Sequence, residues 1–296
     1  MPHTRAPIAE LKIGFIGAGR LGRALAWSLD AAGCRVHAVA SRGAARAAEL
    51  AAPIAHCLQY PAQRLADECD LVFITTPDGA IQAIADELQW REGQGVVHCS
   101  GATEVSALAK AAADGAMVGG FHPMQTFADP AAAAKSLPGS TITIEAQGEL
   151  SRTLLGLVEC LGCAANQLPP GMRARYHAAA GYASQYINVV LGEAVRIWQS
   201  WGATEAQALP ALVPMVRGTL ASIEAAGLAK GMPGPVSRGD AGTVEKHVAA
   251  LSELDGDTAR LYRELCLRSV SLALAAGGID PDKAARIEAI LRVPQA

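Results

Sequence analysis

Three glycines in one short run, Gly17, Gly19 and Gly22, are spaced to hold a phosphate group, and Ser100, His122 and His177 are residue types that hold and move protons. The glycines lie in the run Ile13-Gly14-Phe15-Ile16-Gly17-Ala18-Gly19-Arg20-Leu21-Gly22. Gly17 permits a tight turn, Gly19 lets the backbone come close to a pyrophosphate, and Gly22 lets a helix pack closely on the preceding strand. A pyrophosphate held there meets the open amides of a helix N-terminus. Residues 35–40 read as a second strand, and it ends in Ser41-Arg42 where an acidic residue would bind free ribose hydroxyls. An aspartate would repel a 2′-phosphate, whereas arginine pairs with it and serine hydrogen-bonds it. The spacing therefore predicts NADP(H), held by Gly17, Ala18, Gly19, Arg20, Leu21, Gly22, Ser41 and Arg42.

These residues need strands and helices to position them. Residues 11–16 read as a buried strand and 20–32 as a helix, and the first half continues to alternate short apolar strands with helices. Such alternation predicts a parallel sheet covered on both faces. A strand over 70–75 runs into Thr76-Pro77-Asp78, with Asp78 placed to cap the next helix. Another over 95–99 ends in Ser100-Gly101, with Thr103 as a candidate cap for a helix through 113. A third over 117–121 runs into His122-Pro123. Strands over 140–145 and 164–168 enclose a helix over 147–161.

Ligands of such sheets bind outside the carboxyl ends of the strands. Thr75, Thr76 and Pro77 are thus expected near the pyrophosphate and nicotinamide ribose, and Ser100 and Gly101 near the nicotinamide. A hydride acceptor with a C=O or C=N bond needs a proton donor beside it, and histidine titrates near working pH. His122 fills that role, or else it is a histidine hydrogen-bonded in a turn before proline. Ser100 either polarises the same atom or opens a helix.

Pro169-Pro170-Gly171 breaks the alternation and predicts a boundary, with domains over 8–169 and 170–296. The second half reads as nearly all helical, with helices over 173–201, 204–226 and 257–276 and a last one opened by Pro281. Apolar residues such as Tyr186, Ile187, Val189, Val190 and Leu191 cover more than one helix face, which predicts burial against a second copy in a homodimer. On a helix over 173–201, His177, Gly181 and Gln185 share a face, with Ser184 beside it. That face reads as the wall of a substrate pocket, or as a core histidine with its partners. Downstream, Gly234-Pro235-Val236-Ser237-Arg238-Gly239-Asp240 forms a rigid turn. Arg238 either clamps a substrate carboxylate with two hydrogen bonds or pairs with Asp240.

Composition bounds the partners. The net charge of −3 leaves no basic footprint for nucleic acid or an acidic membrane surface. Charged residues make up 18% of the chain and hydrophobic ones 51%, against ~25% charged in ordinary soluble domains, so much helix surface should be buried. Seven cysteines form no framework. Cys160-x-x-Cys163 lacks the second pair or the histidines that a metal centre needs, so no metal is expected. Reduced thiols fit a cytoplasmic protein. The first apolar stretch is interrupted by Arg20 and Arg23, which argues against a signal peptide or a spanning helix, and residues 1–7 read as a loose tail.

The glycine run, Ser41-Arg42, His98-Cys99-Ser100-Gly101, Gly120-Phe121-His122-Pro123-Met124-Gln125-Thr126-Phe127, Tyr176-His177-Ala178-Ala179 and the 234–240 turn extend over nearly the whole chain. Together they resemble the Rossmann-like proteins whose C-terminal half is the domain of unknown function 2520. That group resembles pyrroline-5-carboxylate reductase, ketopantoate reductase, prephenate dehydrogenase and the β-hydroxyacid dehydrogenases. The resemblance implies a Rossmann-type doubly wound α/β sheet followed by an all-α domain that dimerises. Prephenate dehydrogenase has a serine near the nicotinamide and a catalytic histidine before proline, which Ser100 and His122 match. The helix lysine of the β-hydroxyacid dehydrogenases has no counterpart, since no lysine lies between Lys135 and Lys230.

The expected function is reduction of a small carboxylate-bearing ketone or imine by NADPH at the cleft between the domains. His122, Ser100 and His177 are expected to carry the chemistry, and Ser184, Gln185, Arg238 and Asp240 to bind substrate. The alternative is a non-catalytic NADP-binding redox sensor that reports to a partner protein, which a long exposed apolar patch on the helical domain would favour. A deazaflavin-dependent NADP oxidoreductase is a third reading, against which the large helical half argues.

Overall fold

Short runs of wholly apolar residues form the centre of the sheet. In the computed structural model, which describes residues 8–292, Ile13–Ile16 (β1) is buried at every position. The tail expected over 1–7 lies outside the described residues. Val36–Ala40 (β2), Leu58–Gln59 (β3), Leu71–Ile74 (β4), Gly95–His98 (β5), Met117–Pro123 (β6), Thr141–Glu145 (β7) and Ala164–Gln167 (β8) complete an eight-stranded sheet in the order β3-β2-β1-β4-β5-β6-β7-β8. β4 and β5 are also buried throughout, as strands covered by helices on both faces must be. Phe15 stacks on Phe73 at 5.2 Å between ring centroids, and Phe73 meets Phe121 edge-on at 5.4 Å, which ties β1, β4 and β6 together. The doubly wound α/β sheet and the helical region after it are as expected from the motifs.

All neighbouring strands are parallel except β6 and β7. This reversal sets two registers that matter for the site. β5 beside β6 pairs His98 with Gly120, so Ser100, just past β5, comes alongside His122. Across the antiparallel pair, His122 lies opposite Thr143, and Thr143 lies opposite Asn166 on β8. His122 and Pro123 are thus strand residues and not a turn.

The chain divides into compact units over residues 1–184 and 185–296. The first unit includes the helix Arg173–Ala183, downstream of Pro169-Pro170-Gly171, because the Arg173 side chain is wholly buried there. The single helix expected over 173–201 is two helices, Arg173–Ala183 and Gln185–Gln199. Ser184 leaves helical geometry (φ −131°, ψ −81°) and its hydroxyl donates to the Ala180 carbonyl at 2.7 Å. A serine bonded back in this way bends a helix, and the face joining His177 and Gly181 to Gln185 does not form.

In the second unit, Glu205–Lys230 opens with a capping box between Thr204 and Gln207 and loses helical geometry at Gly227 (φ 78°, ψ 171°). Ala241–Leu254, Gly256–Ala275 and Pro281–Leu291 pack around Val236, Val244, Val270, Ile287 and Leu291. Val189, Val190, Trp201, Met215 and Leu228 of this unit are exposed. Among the described residues no helix is long and apolar enough to cross a membrane.

Candidate active site

The glycine turn is locked against the end of β4. Gly17 has φ +112°, and a Cβ there would lie 2.8–2.9 Å from the Thr75 and Thr76 backbone. A Cβ on Gly22 would come within 2.6 Å of the Gly17 carbonyl, which itself accepts the Thr75 hydroxyl proton at 2.6 Å. Only glycine satisfies either position. Gly19 differs. It begins the helix Arg20–Ala31 without a capping side chain, and a Cβ there would find only the Thr75 oxygen, at 3.8 Å. The first amides of that helix therefore have no partner from the helix itself.

A cleft of about 790 Å³ runs from this turn past the end of β2. Gly17, Ala18, Gly19, Ser41, Arg42, Thr75, Thr76 and Pro77 line it, as expected, and so does Arg46 in the first turn of the helix Ala44–Ala51. The Thr76 hydroxyl oxygen is buried with no hydrogen-bond partner among the described residues. Glycine-lined walls, an orphaned hydroxyl and two arginines at one end fit a phosphorylated dinucleotide. Arg20, Leu21 and Gly22 lie in the helix behind the lining, and Ser100 and Gly101 belong to a different cluster. Arg46 escapes sequence reasoning because an arginine on a short alanine-rich helix looks like surface; its spacing of i+4 from Arg42 is the one signal.

Two histidines converge on Gly101. A Cβ on that glycine would collide with His177 Nδ1 and lie 3.0 Å from His122 Nε2. The imidazole centroids are 6.0 Å apart, with the rings nearly perpendicular. His177 is exposed, so it is not a core histidine. On its other side, His122 Nδ1 is 2.6 Å from the Tyr176 hydroxyl. The Ser100 oxygen accepts the amides of Ala102 (3.2 Å) and Thr103 (2.9 Å), so Ser100 and not Thr103 caps this turn. Its proton stays available to a ligand. Asp78 likewise makes no cap and lies in the first turn of the helix Asp78–Glu87, after Pro77.

Arg173 lies beneath this cluster with its side chain wholly buried. Its Nε donates to Glu145 at 2.6 Å and a terminal nitrogen donates to the Ser100 carbonyl at 2.7 Å. The other terminal nitrogen presses on Gly120, where any Cβ would collide with it, and has no hydrogen-bond partner among the described residues. The buried guanidinium acts on its neighbours. Burial first, then the charges of His177 and Arg173, push the His122 pKa down to about 4, against a weaker opposing pull from Asp78. Burial and then Arg173 push His98 down to about 3. His122 is therefore neutral at working pH, contrary to the expectation of a histidine titrating there. Tyr176 is raised, chiefly by burial, and stays protonated.

Four expected residues remain, Ser184, Gln185, Arg238 and Asp240. Ser184 and Gln185 fall at the helix break. Arg238 and Asp240 belong to the second unit, where Asp240 accepts the Thr243 amide at 3.0 Å and the Thr243 hydroxyl at 2.7 Å. Arg238 is exposed and acts on Asp240 through charge, without a direct ion pair.

Comparison with known proteins agrees with this architecture. Residues 2–123 match the model of a Rossmann-like domain, and residues 140–269 match that of a domain of unknown function, DUF2520. No curated protein of known function matches the chain. The fold is shared with protein TM1727 from Thermotoga maritima (TM-score 0.72, 23% identity, 89% of this chain and 98% of that one). It is shared also with BF3122 from Bacteroides fragilis, described as a candidate NADP oxidoreductase (0.69, 22%, 90% and 100%). A third is the reductive aminase from Aspergillus terreus in complex with NADPH and ethyl-5-oxohexanoate (0.65, 18%, 94% and 99%). The chain thus joins a Rossmann-like domain to the domain of unknown function DUF2520, the combination that its motifs resemble.

Proposed function

We propose that this protein is an NADP(H)-dependent oxidoreductase that reduces a small carboxylate-bearing ketone or imine. The observation that carries the reading is a pairing at the carboxyl ends of one sheet. A glycine-lined cleft with Arg42 and Arg46 at one end accompanies a histidine, tyrosine and serine cluster around Gly101. NADPH, when bound, supplies the hydride. Ser41, Arg42 and Arg46 hold its 2′-phosphate, the helix head at Gly19 meets its pyrophosphate, and the Thr76 hydroxyl finds a partner in its ribose or phosphate. Ser100 donates to the substrate oxygen or nitrogen, His122 delivers the proton, and His177 forms the solvent side of the pocket. The NADPH in the Aspergillus terreus structure supports the choice of cofactor.

Replacing Arg42 by alanine is expected to weaken NADPH binding by about 1.5–3 kcal/mol, the range for hydrogen bonds to charged groups, and to leave NADH unchanged. Titration of both nucleotides against both proteins checks this. Equal affinity of the parent for NADH and NADPH would overturn the cofactor assignment.

The exposed apolar residues of the second unit support a homodimer formed through its helices. Light scattering across a dilution series is expected to give twice the chain mass. A monomer at micromolar concentration would instead favour the second reading, a redox sensor whose apolar surface receives another protein.

A further inference from the structure

Three side chains stand in a row across three strands, the candidate acid at one end. The register sets Asn166 opposite Thr143 and Thr143 opposite His122. An amide nitrogen can only donate, and Asn166 Nδ2 donates to Thr143 Oγ1 at 3.1 Å. The Thr143 hydroxyl keeps its own hydrogen to give, and its effect on Tyr176, which lowers the phenol's pKa, is that of a donor toward the Tyr176 oxygen. A phenol that accepts from Thr143 keeps its proton for His122 Nδ1, 2.6 Å away. Nδ1 then carries no hydrogen, and the imidazole proton sits on Nε2, the nitrogen that faces Gly101 and His177.

We propose that Asn166, Thr143 and Tyr176 form a one-way chain of donors that holds His122 as its Nε2–H tautomer and refills Nδ1 when Nε2 gives up its proton. Tyr176 is a positioning residue in this scheme, which rests on the reading of the site as a reductase. The need for refilling follows from the neutral state of His122, because loss of a proton from neutral imidazole would leave an imidazolate. As the Nε2–H bond breaks, a bond forms from that proton to the substrate nitrogen or oxygen. The Tyr176 O–H bond breaks as Nδ1–H forms. The imidazole stays neutral, and the negative charge arrives on the Tyr176 oxygen, where the Thr143 hydrogen bond and the Arg173 charge both favour it. Water returns the proton after the product leaves. The titratable and charged groups facing His122 are Tyr176, His177 and Arg173 of one helix, Asp78 of another and His98 of β5, with Glu145 acting through Arg173.

Nitrogen NMR of the ligand-free protein labelled in its histidines reads the tautomer directly. In the parent at neutral pH, His122 is expected to show a protonated Nε2 and a bare Nδ1. Tyr176→Phe is expected to let the two tautomers mix, and Thr143→Val, which keeps the side-chain shape, to do so in part. A parent protonated on Nδ1, or a folded Tyr176→Phe with an unchanged pattern, overturns the donor chain. If Tyr176→Phe does not fold, the parent spectrum and Thr143→Val decide. With a substrate in hand, Tyr176→Phe is expected to lower kcat on the order of 10²-fold, the low end for a positioned general acid, at unchanged NADPH affinity. An unchanged kcat overturns the refilling step. A parent with the Nε2–H tautomer that binds no NADPH supports the donor chain and overturns the reductase reading, so the two failures are separable.

Discussion

Replacing His122 by asparagine is expected to lower kcat by about 10²–10⁴-fold, the usual contribution of a positioned general acid, while NADPH affinity barely moves. The two effects separate because the glycine-lined cleft proposed for the nucleotide is lined from the ends of β1, β2 and β4, whereas His122 belongs to β6. His177→Asn distinguishes the roles of the pair. If His177 only binds substrate, the variant raises KM more than it lowers kcat; if the acid roles are exchanged, the reverse holds. Steady-state kinetics on both variants decide between these cases. Turnover within a few-fold of the parent in both would make the histidines structural and leave the proton to Ser100 or water.

Arg173→Leu is expected to have the largest effect on stability, about 3–5 kcal/mol, because removing one partner leaves the other as an uncompensated buried charge. The stranded group is Glu145, whose side chain is only 11% exposed. The Ser100 carbonyl loses its donor in the same change. Urea unfolding of the parent, Arg173→Leu and the double variant with Glu145→Leu checks the cause. The double variant is expected to recover much of the loss, since two apolar side chains leave no orphaned charge. A single variant within about 1 kcal/mol of the parent, the value of an ordinary surface ion pair, would show that the pair is not effectively buried.

What could be read from the sequence depended on the range of the interactions. The glycine turn has a local signature, since Gly17, Gly19 and Gly22 fall in one short run between an apolar strand and a helix, although the close approach that enforces Gly17 comes from Thr75 and Thr76 at the end of β4. The sheet and the positions of Ser100 and His122 at neighbouring strand ends followed. The Thr143 and Asn166 partnership did not, because it depends on the reversed direction of β6 against β7, and nothing local marks that reversal. Arg173 was hidden for a different reason. A charged residue on a helix reads as surface, and its burial is compensated by Glu145 from a strand 28 residues away in the chain. The break at Ser184 escaped because its neighbours on both sides favour helix, and the competing bond is a side-chain hydroxyl to a backbone carbonyl. The strand β3 is two exposed residues, too short to leave a pattern.

Gly19 brings no side chain to the head of the helix Arg20–Ala31, so an anion held there completes hydrogen bonding that folding alone leaves to water. A ligand that binds the folded chain and not the unfolded one adds RT ln(1 + [L]/Kd), about 2.7 kcal/mol at a hundredfold excess over Kd. With NADP(H) as the proposed ligand of that helix head, the nucleotide would enter the folding equilibrium of the first unit. On that reading, depletion of the nucleotide would raise the unfolded fraction open to proteases and its return would lower it, so that abundance would follow the supply.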